Sequence, residues 1–109
     1  MPESNIVPYG LAAHRGLAAS KPENTIVALR AAIEAGAPIV EFDLQLTADG
    51  VPVLLHDATF ARTGGSSWDV RDIPLAQACT LGVGYPTKFG TQFADQQLET
   101  LAEAVSALG

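Results

Sequence analysis

Two histidines, one arginine and a pair of carboxylates carry most of the chemistry this 109-residue chain could do. Glu41 and Asp43 stand two positions apart in a β-rich run, so in a strand both carboxylates leave one face about 7 Å apart along the chain. Carboxylates so placed repel one another unless a cation lies between them, and their hard oxygens suit Mg²⁺ or Ca²⁺. The competing reading is a half-exposed strand whose polar face is simply wet. His14 and His56 are the only histidines. Each ends an apolar run and is followed by a charged residue, Arg15 or Asp57. The C-terminal ends of strands are where parallel α/β proteins bind ligands, and imidazoles there could take and give protons near neutral pH. Against that stands a hydrogen-bonded structural role for each. Arg15 could fork onto a phosphate or carboxylate, or pair with one of the chain's acids. Gly16 lets the backbone bend there or lets a ligand approach.

The elements that must position these groups follow from pattern. Tyr9 to His14 reads as a buried strand running into a polar loop that contains Lys21, Pro22 and Glu23. Asn24 to Ala35 places Ile26, Leu29, Ala32 and Ile33 at helical spacing, with Asn24 as N-cap and Gly36 as C-terminal stop. Ile39 to Thr47 alternates strictly, with Val40, Phe42, Leu44 and Leu46 on one face and Glu41, Asp43 and Gln45 on the other. Ala48-Asp49-Gly50 is a turn signal, and Val51 to Asp57 reads as the next strand. Thr63 to Trp68 reads as a surface loop and Pro74 to Thr80 as a short helix. Asp95 to Leu108 is expected to be a helix, with Leu98, Leu101, Ala102 and Val105 on one face and Gly109 as its cap. Trp68 and Tyr85 could pack a substrate or cover the core, and the core is the expectation.

This order is α/β, and Leu11 to Leu44 has the length of a βαβ unit. Only twelve residues separate Asp43 from His56, too few for a helical crossover. Either a hairpin turns at Asp49-Gly50, which would put Asp43 roughly opposite His56, or Leu44 to Gly50 descends as an extended segment.

Composition narrows the partners. With 48% hydrophobic and 17% charged residues the chain suits one globular domain, without a run long enough for a membrane span. A net charge of −6 disfavours nucleic acid and anionic lipid. The lone Cys79 has no disulfide partner within the chain. A small-molecule or protein partner, or a cation, remains, and a cytoplasmic location is the expectation.

Taken together, AHRG (Ala13 to Gly16), PENT (Pro22 to Thr25), EFDLQLTADGVPVLLHD (Glu41 to Asp57) and ART (Ala61 to Thr63) resemble the N-terminal part of glycerophosphodiester phosphodiesterases. In that family HRG, PENT, E-x-D, T-x-DG and HD occur in this order and spacing. The likeness continues more loosely through WDVRDIPLAQACTLGVG and LETLAEAV. The resemblance implies a (β/α)₈ barrel that uses a divalent cation, Mg²⁺ or Ca²⁺, to hydrolyse glycerophosphodiesters to an alcohol and glycerol 3-phosphate. It implies His14 and His56 as the catalytic pair, one base and one acid, Glu41 and Asp43 as metal ligands, and Arg15 on the phosphate; the sequence does not separate the two histidine roles, and we assign His14 as base and His56 as acid. The attacking oxygen would be the glycerol's own hydroxyl, through a cyclic phosphate, or water. Glu23 would serve either the site or the first turn of the helix.

Such a barrel takes about 250 residues. Residues 1–109 are therefore expected to be a partial catalytic domain, truncated at the C-terminus, with about three βα units. A third acidic ligand, in an E-x-K, is expected beyond Gly109, and the piece alone is expected to be inactive and to expose an open sheet edge. Other readings are a sphingomyelinase D-like or phospholipase C-like barrel of the same superfamily, or a non-catalytic binding remnant.

Overall fold

Two apolar runs flanking one amphipathic helix produce a parallel strand pair. In the computed structural model, which describes residues 6–7 and 10–109, β2 (Gly10–His14) runs parallel to β3 (Ile39–Glu41), with α1 (Ile26–Glu34) between them in sequence. The expected βαβ unit is present; Tyr9, with which the first strand was expected to begin, lies outside the described residues. A two-residue strand, β1 (Ile6–Val7), adds antiparallel to the other edge of β2.

The helix starts one residue later than the sequence suggests. Thr25, not Asn24, is the N-cap: it is extended, and its hydroxyl accepts from the Ala28 amide at 3.1 Å while donating to the Pro22 carbonyl at 2.7 Å. Asn24 instead adopts a left-handed conformation (φ +55°), unsuited to capping, because its side chain is engaged elsewhere. The helix ends as expected near Gly36 (φ +95°), where the Gly36 and Ala37 amides reach back to the Ile33 and Ala32 carbonyls, a Schellman closure. Ala28, Leu29 and Ala32 are buried, whereas Ile33 is exposed. Gly16 (φ +79°) passes so close to α1 that a Cβ there would lie 2.5 Å from the Ala28 carbonyl carbon. Only glycine fits.

The run from Ile39 to Thr47 is not one strand. It changes partner after Glu41, and β4 (Leu44–Leu46) pairs antiparallel with β5 (Pro52–Leu54) in a separate two-stranded sheet. Of the two possible routes the hairpin is the one taken. Thr47 holds its turn, accepting from the Val51 amide and bonding the Asp49 carboxylate. The register sets Leu44 against Leu54, and the Leu55 amide donates to the Asp43 carbonyl at 3.1 Å. Asp43 therefore faces Leu55, one place short of His56. The expected apolar face is also interrupted: Val40 and Phe42 are half-buried, while Leu44 and Leu46, turned into the second sheet, are exposed.

β5 separates two cores, because successive side chains of a strand point opposite ways. Val53 and Leu55 join Phe60, Val70, Ile73, Ala78, Val83 and Leu98 on one side; Leu54 joins Leu29 and Ala104 on the other, with Ile26, Val40, Phe42, Leu101 and Leu108 packed around them. The larger core lies under a segment of short turns: α2 (Ala61–Gly64), a 3₁₀ turn (Val70–Asp72), α3 (Leu75–Ala78) and α4 (Pro86–Phe89). The expected surface loop thus begins inside α2, and the expected helix at Pro74 is a single turn. Trp68 is 49% exposed and does not cover the core; Tyr85 is half-buried beside Arg62.

The chain then returns to β5. The Leu54 amide donates to the Glu99 carbonyl at 2.9 Å, and Val53 bridges to Thr100. This pairing keeps residues 97–100 extended, so the last helix, α5 (Leu101–Leu108), starts six residues after Asp95, at a capping box formed by Thr100 and Glu103. Gly109 closes it as expected. Its buried contact is Ala104, while Ala102 and Val105 face outward. Among the described residues no helix is long and apolar enough to cross a membrane.

Candidate active site

β2 ends at His14 and β3 at Glu41, and the parallel register makes these two residues neighbours. Asp43 follows in the gap before β4. His56 follows β5, and its carbonyl accepts from the Gln45 side chain at 2.8 Å. All five residues singled out from sequence therefore lie at strand ends or just beyond them. His14, Glu41 and His56 are exposed; Arg15 and Asp43 are partly buried.

Arg15, in a left-handed conformation (φ +58°), turns its guanidinium toward two carboxylates. Its Nε lies 3.2 Å from Asp43 Oδ2, and its Nη1 lies 3.4 Å from Glu23 Oε1. The Nε contact is an ion pair without hydrogen-bond alignment, which leaves a buried donor with no acceptor among the described residues. Such a donor suits an incoming anionic oxygen. Asn24 straps the loop to the strand. Its amide donates to the Arg15 carbonyl, while its side chain accepts from the Asp43 amide at 2.9 Å and donates to Asp43 Oδ2 at 3.2 Å. The four PENT residues divide their work: Pro22 and Thr25 close the helix start, while Asn24 fixes Asp43 and Glu23 binds arginines.

A second set of groups surrounds His56. Its Nδ1 lies 2.6 Å from Asp57 Oδ1. Hydrogen bonds from Arg62, then from His56, hold the Asp57 carboxyl down to about 2. Near neutral pH Asp57 is therefore an acceptor only, so Nδ1 of His56 must be the donor and Nε2 the nitrogen left for other work. Arg62 donates to Asp57 Oδ2 through Nε at 2.9 Å, and to both oxygens of Glu23 through Nη1 and Nη2 at 2.7 and 2.9 Å. Burial pushes the Glu23 carboxyl up, but hydrogen bonding and charge from Arg62, with the charges of Arg15 and His56, outweigh it and hold the group below its ordinary range. The same carboxylates raise the Arg62 guanidinium. Glu23, expected either at the site or at the first turn of the helix, bonds Arg15 and Arg62.

Arg62, Asp57 and the bridging role of Asn24 were not found from sequence. The ART motif names Arg62, but its main partner lies 39 residues earlier, and no local spacing encodes that. The adjacency of His56 and Asp57 was the one signal within reach.

The donor chemistry fits a hard cation in part. Among the described residues, neither Glu41 oxygen nor Asp43 Oδ1 has a side-chain hydrogen-bond partner, and no group of three or more His, Cys, Asp or Glu side chains converges to hold a metal ion. Two carboxylates supply only part of the six or more oxygens such an ion takes.

Residues 14–108 match the family model of the glycerophosphoryl diester phosphodiesterase family. Glycerophosphodiester phosphodiesterase of Caldanaerobacter subterraneus is 42% identical over 97 residues, covering 89% of this chain and 39% of that protein. Glycerophosphodiester phosphodiesterase 1 of Rattus norvegicus is 42% identical over 94 residues, covering 86% of this chain and 28% of that one. Among solved structures, an Oleispira antarctica phosphodiesterase in complex with the product sn-glycerol-3-phosphate superposes with a TM-score of 0.80 at 34% identity, covering 89% of this chain and 38% of that one. Glycerophosphodiester phosphodiesterase from Agrobacterium tumefaciens gives 0.81 at 31% identity, covering 89% and 41%. The chain thus spans well under half the length of these relatives. Its α/β fold corresponds to the N-terminal portion of a (β/α)₈ barrel, as the motifs implied. With strand ends, motif order and family match in agreement, the chain belongs to the glycerophosphoryl diester phosphodiesterase family.

Proposed function

We propose that these residues form part of a site that hydrolyses glycerophosphodiesters to an alcohol and glycerol 3-phosphate. The observation that carries the reading is the buried, acceptor-free Nε of Arg15 beside Asp43, at the strand edge that also bears His14, Glu41 and His56. A phosphodiester anion repels nucleophiles, and the Arg15 guanidinium offsets that charge. His14 takes the proton of the attacking oxygen; His56, in its imidazolium form with the Nδ1 proton donated to Asp57, gives the proton on Nε2 to the leaving alkoxide and is left as the Nδ1-protonated tautomer. Glu41 and Asp43 would hold a divalent cation, Mg²⁺ or Ca²⁺, which when bound polarises a phosphoryl oxygen. The product named for the Oleispira relative, sn-glycerol-3-phosphate, supports this substrate class over sphingomyelinase D-like or phospholipase C-like ones.

The 109 residues by themselves bind without turning over, because they bring two carboxylate ligands where the resemblance calls for three. Calorimetric titration of the chain with Ca²⁺ and with glycerol 3-phosphate tests this. The double change Glu41→Gln with Asp43→Asn should abolish cation binding, and Arg15→Gln should weaken phosphate binding. Cation binding that survives the double change would sink the ligand assignment. Glycerophosphodiester turnover by the chain alone, lost in His14→Ala, would overturn its inactivity.

A further inference from the structure

We propose that Arg62 is a positioning residue of this site: it holds the Asp57 carboxylate on Nδ1 of His56, so that the imidazole presents Nε2 to the phosphodiester. The inference rests on the reading of His56 as an acid–base group. His56 is 44% exposed, and Asp57 is the one side chain that bonds its ring among the described residues. An exposed imidazole with one partner is only as well placed as that partner. Asp57 is itself one-third exposed, and its other described side-chain partner is Arg62, which reaches both its oxygens, at 2.9 Å through Nε and 3.3 Å through Nη2.

Arg62, by contrast, is fixed from three sides. Its Nη groups fork onto Glu23, which is only 9% exposed and sits just before the capped start of α1. The Tyr85 ring lies 5.5 Å from the guanidinium carbon. The backbone that carries it is a single helical turn closed by Gly65. The planar guanidinium thus passes the rigidity of a buried carboxylate to an exposed one, which a point charge could not do in two directions at once. The charged groups around His56 in this arrangement are Asp57, Arg62 and Glu23.

A purely structural Arg62 would neutralise Glu23 and leave the imidazole indifferent. Nitrogen chemical shifts of [¹⁵N]histidine-labelled chain, recorded above the imidazole titration, separate the two cases. In the native chain His56 should be a single tautomer protonated at Nδ1. In Arg62→Gln the preference should fall about fivefold, the worth of one hydrogen bond, with His14 unchanged. Arg62→Lys should fall nearly as far, and Arg71→Gln, at an exposed arginine paired with Asp69, should not move it. Because the single change strands the buried Glu23, the double variant Glu23→Gln with Arg62→Gln removes that charge and should show the same tautomer mixture. A His56 preference unchanged in the double variant, an equal change at His14, or loss of the fold in both variants would overturn the proposal. The shifts are read without substrate. Failure to act on glycerophosphodiesters would therefore count against the function and leave this result standing, whereas a tautomer indifferent to Arg62 would do the reverse.

Discussion

The two halves of the strand-end cluster are built on opposite electrostatic plans. Around Arg62, every charge has a partner: Glu23 and Asp57 grip the guanidinium at 2.7 to 2.9 Å, and Asp57 in turn grips His56. Around Asp43, contacts are longer and incomplete: Arg15 lies 3.2 Å away out of hydrogen-bond alignment, and Glu41 has no described partner. A saturated half can hold a side chain still, and here leaves only Nε2 of His56 to offer a ligand. An unsaturated half has donors and acceptors in reserve, at some cost in stability while they stay unpaired. The difference assigns positioning to the first and binding to the second.

The sharpest way to break the comparison is to empty the saturated half. Arg62→Leu should cost about 2–3 kcal/mol, below the range for a fully buried pair because Arg62 is 35% exposed; denaturant unfolding of the folded chain reads it. Cutting the strap between the halves comes next. Asn24→Ala removes two hydrogen bonds to Asp43 and puts alanine in a left-handed conformation, and should cost about 1–2 kcal/mol.

Acid should attack the two halves unequally. The Asp57 carboxyl titrates lower in the folded chain than its ordinary 3.8, at about 2. Its contribution is therefore complete above pH 4 and lost as the pH falls toward 2. Thermal melts across that range should show a fall in Tm that Asp57→Asn makes shallower. The smallest effect belongs to the unsaturated half: Glu41→Gln should leave stability within about 0.5 kcal/mol, yet remove the rise in Tm that Ca²⁺ produces in the native chain. A large loss of stability from Glu41→Gln without Ca²⁺ would erase the distinction.

Much of this arrangement was legible in the residues. The apolar runs place the two histidines at strand ends, with Arg15 just beyond one of them, and the ordered motifs name the family; Glu41 and Asp43 read as one face of a single strand, whereas β3 ends at Glu41. What escaped was decided by partners distant in sequence. Asn24 and Thr25 are both good caps, and only the bonds from Asn24 to Asp43 decide between them. Alternation from Ile39 to Thr47 is unbroken in the sequence, and the switch of sheet after Glu41 comes where β2 ends, at His14. The spacing of Leu98, Leu101, Ala102 and Val105 fits a helix, yet Leu98 is drawn into an extended segment by the Leu81 carbonyl and is buried in the larger core. Thr100 and Glu103 already carried the correct start as a capping box.

The return of the chain to β5 has a consequence for how this architecture can vary. The excursion from Leu55 to Glu99 leaves and rejoins the same strand, since Leu54 bonds Glu99 and Val53 bridges Thr100. Its two ends are pinned together, and it carries most of the larger core within itself. Lengthening such a closed loop costs only the logarithm of its length. Beyond Arg62 the segment can therefore be enlarged or trimmed while the βαβ unit, His56 and Asp57 keep their geometry. Arg62, inside the excursion yet bonded to Glu23 outside it, is the tether at the site end; Ile73 and Leu75 tie the segment to the β4–β5 turn, and Lys88 ties it to Ala18.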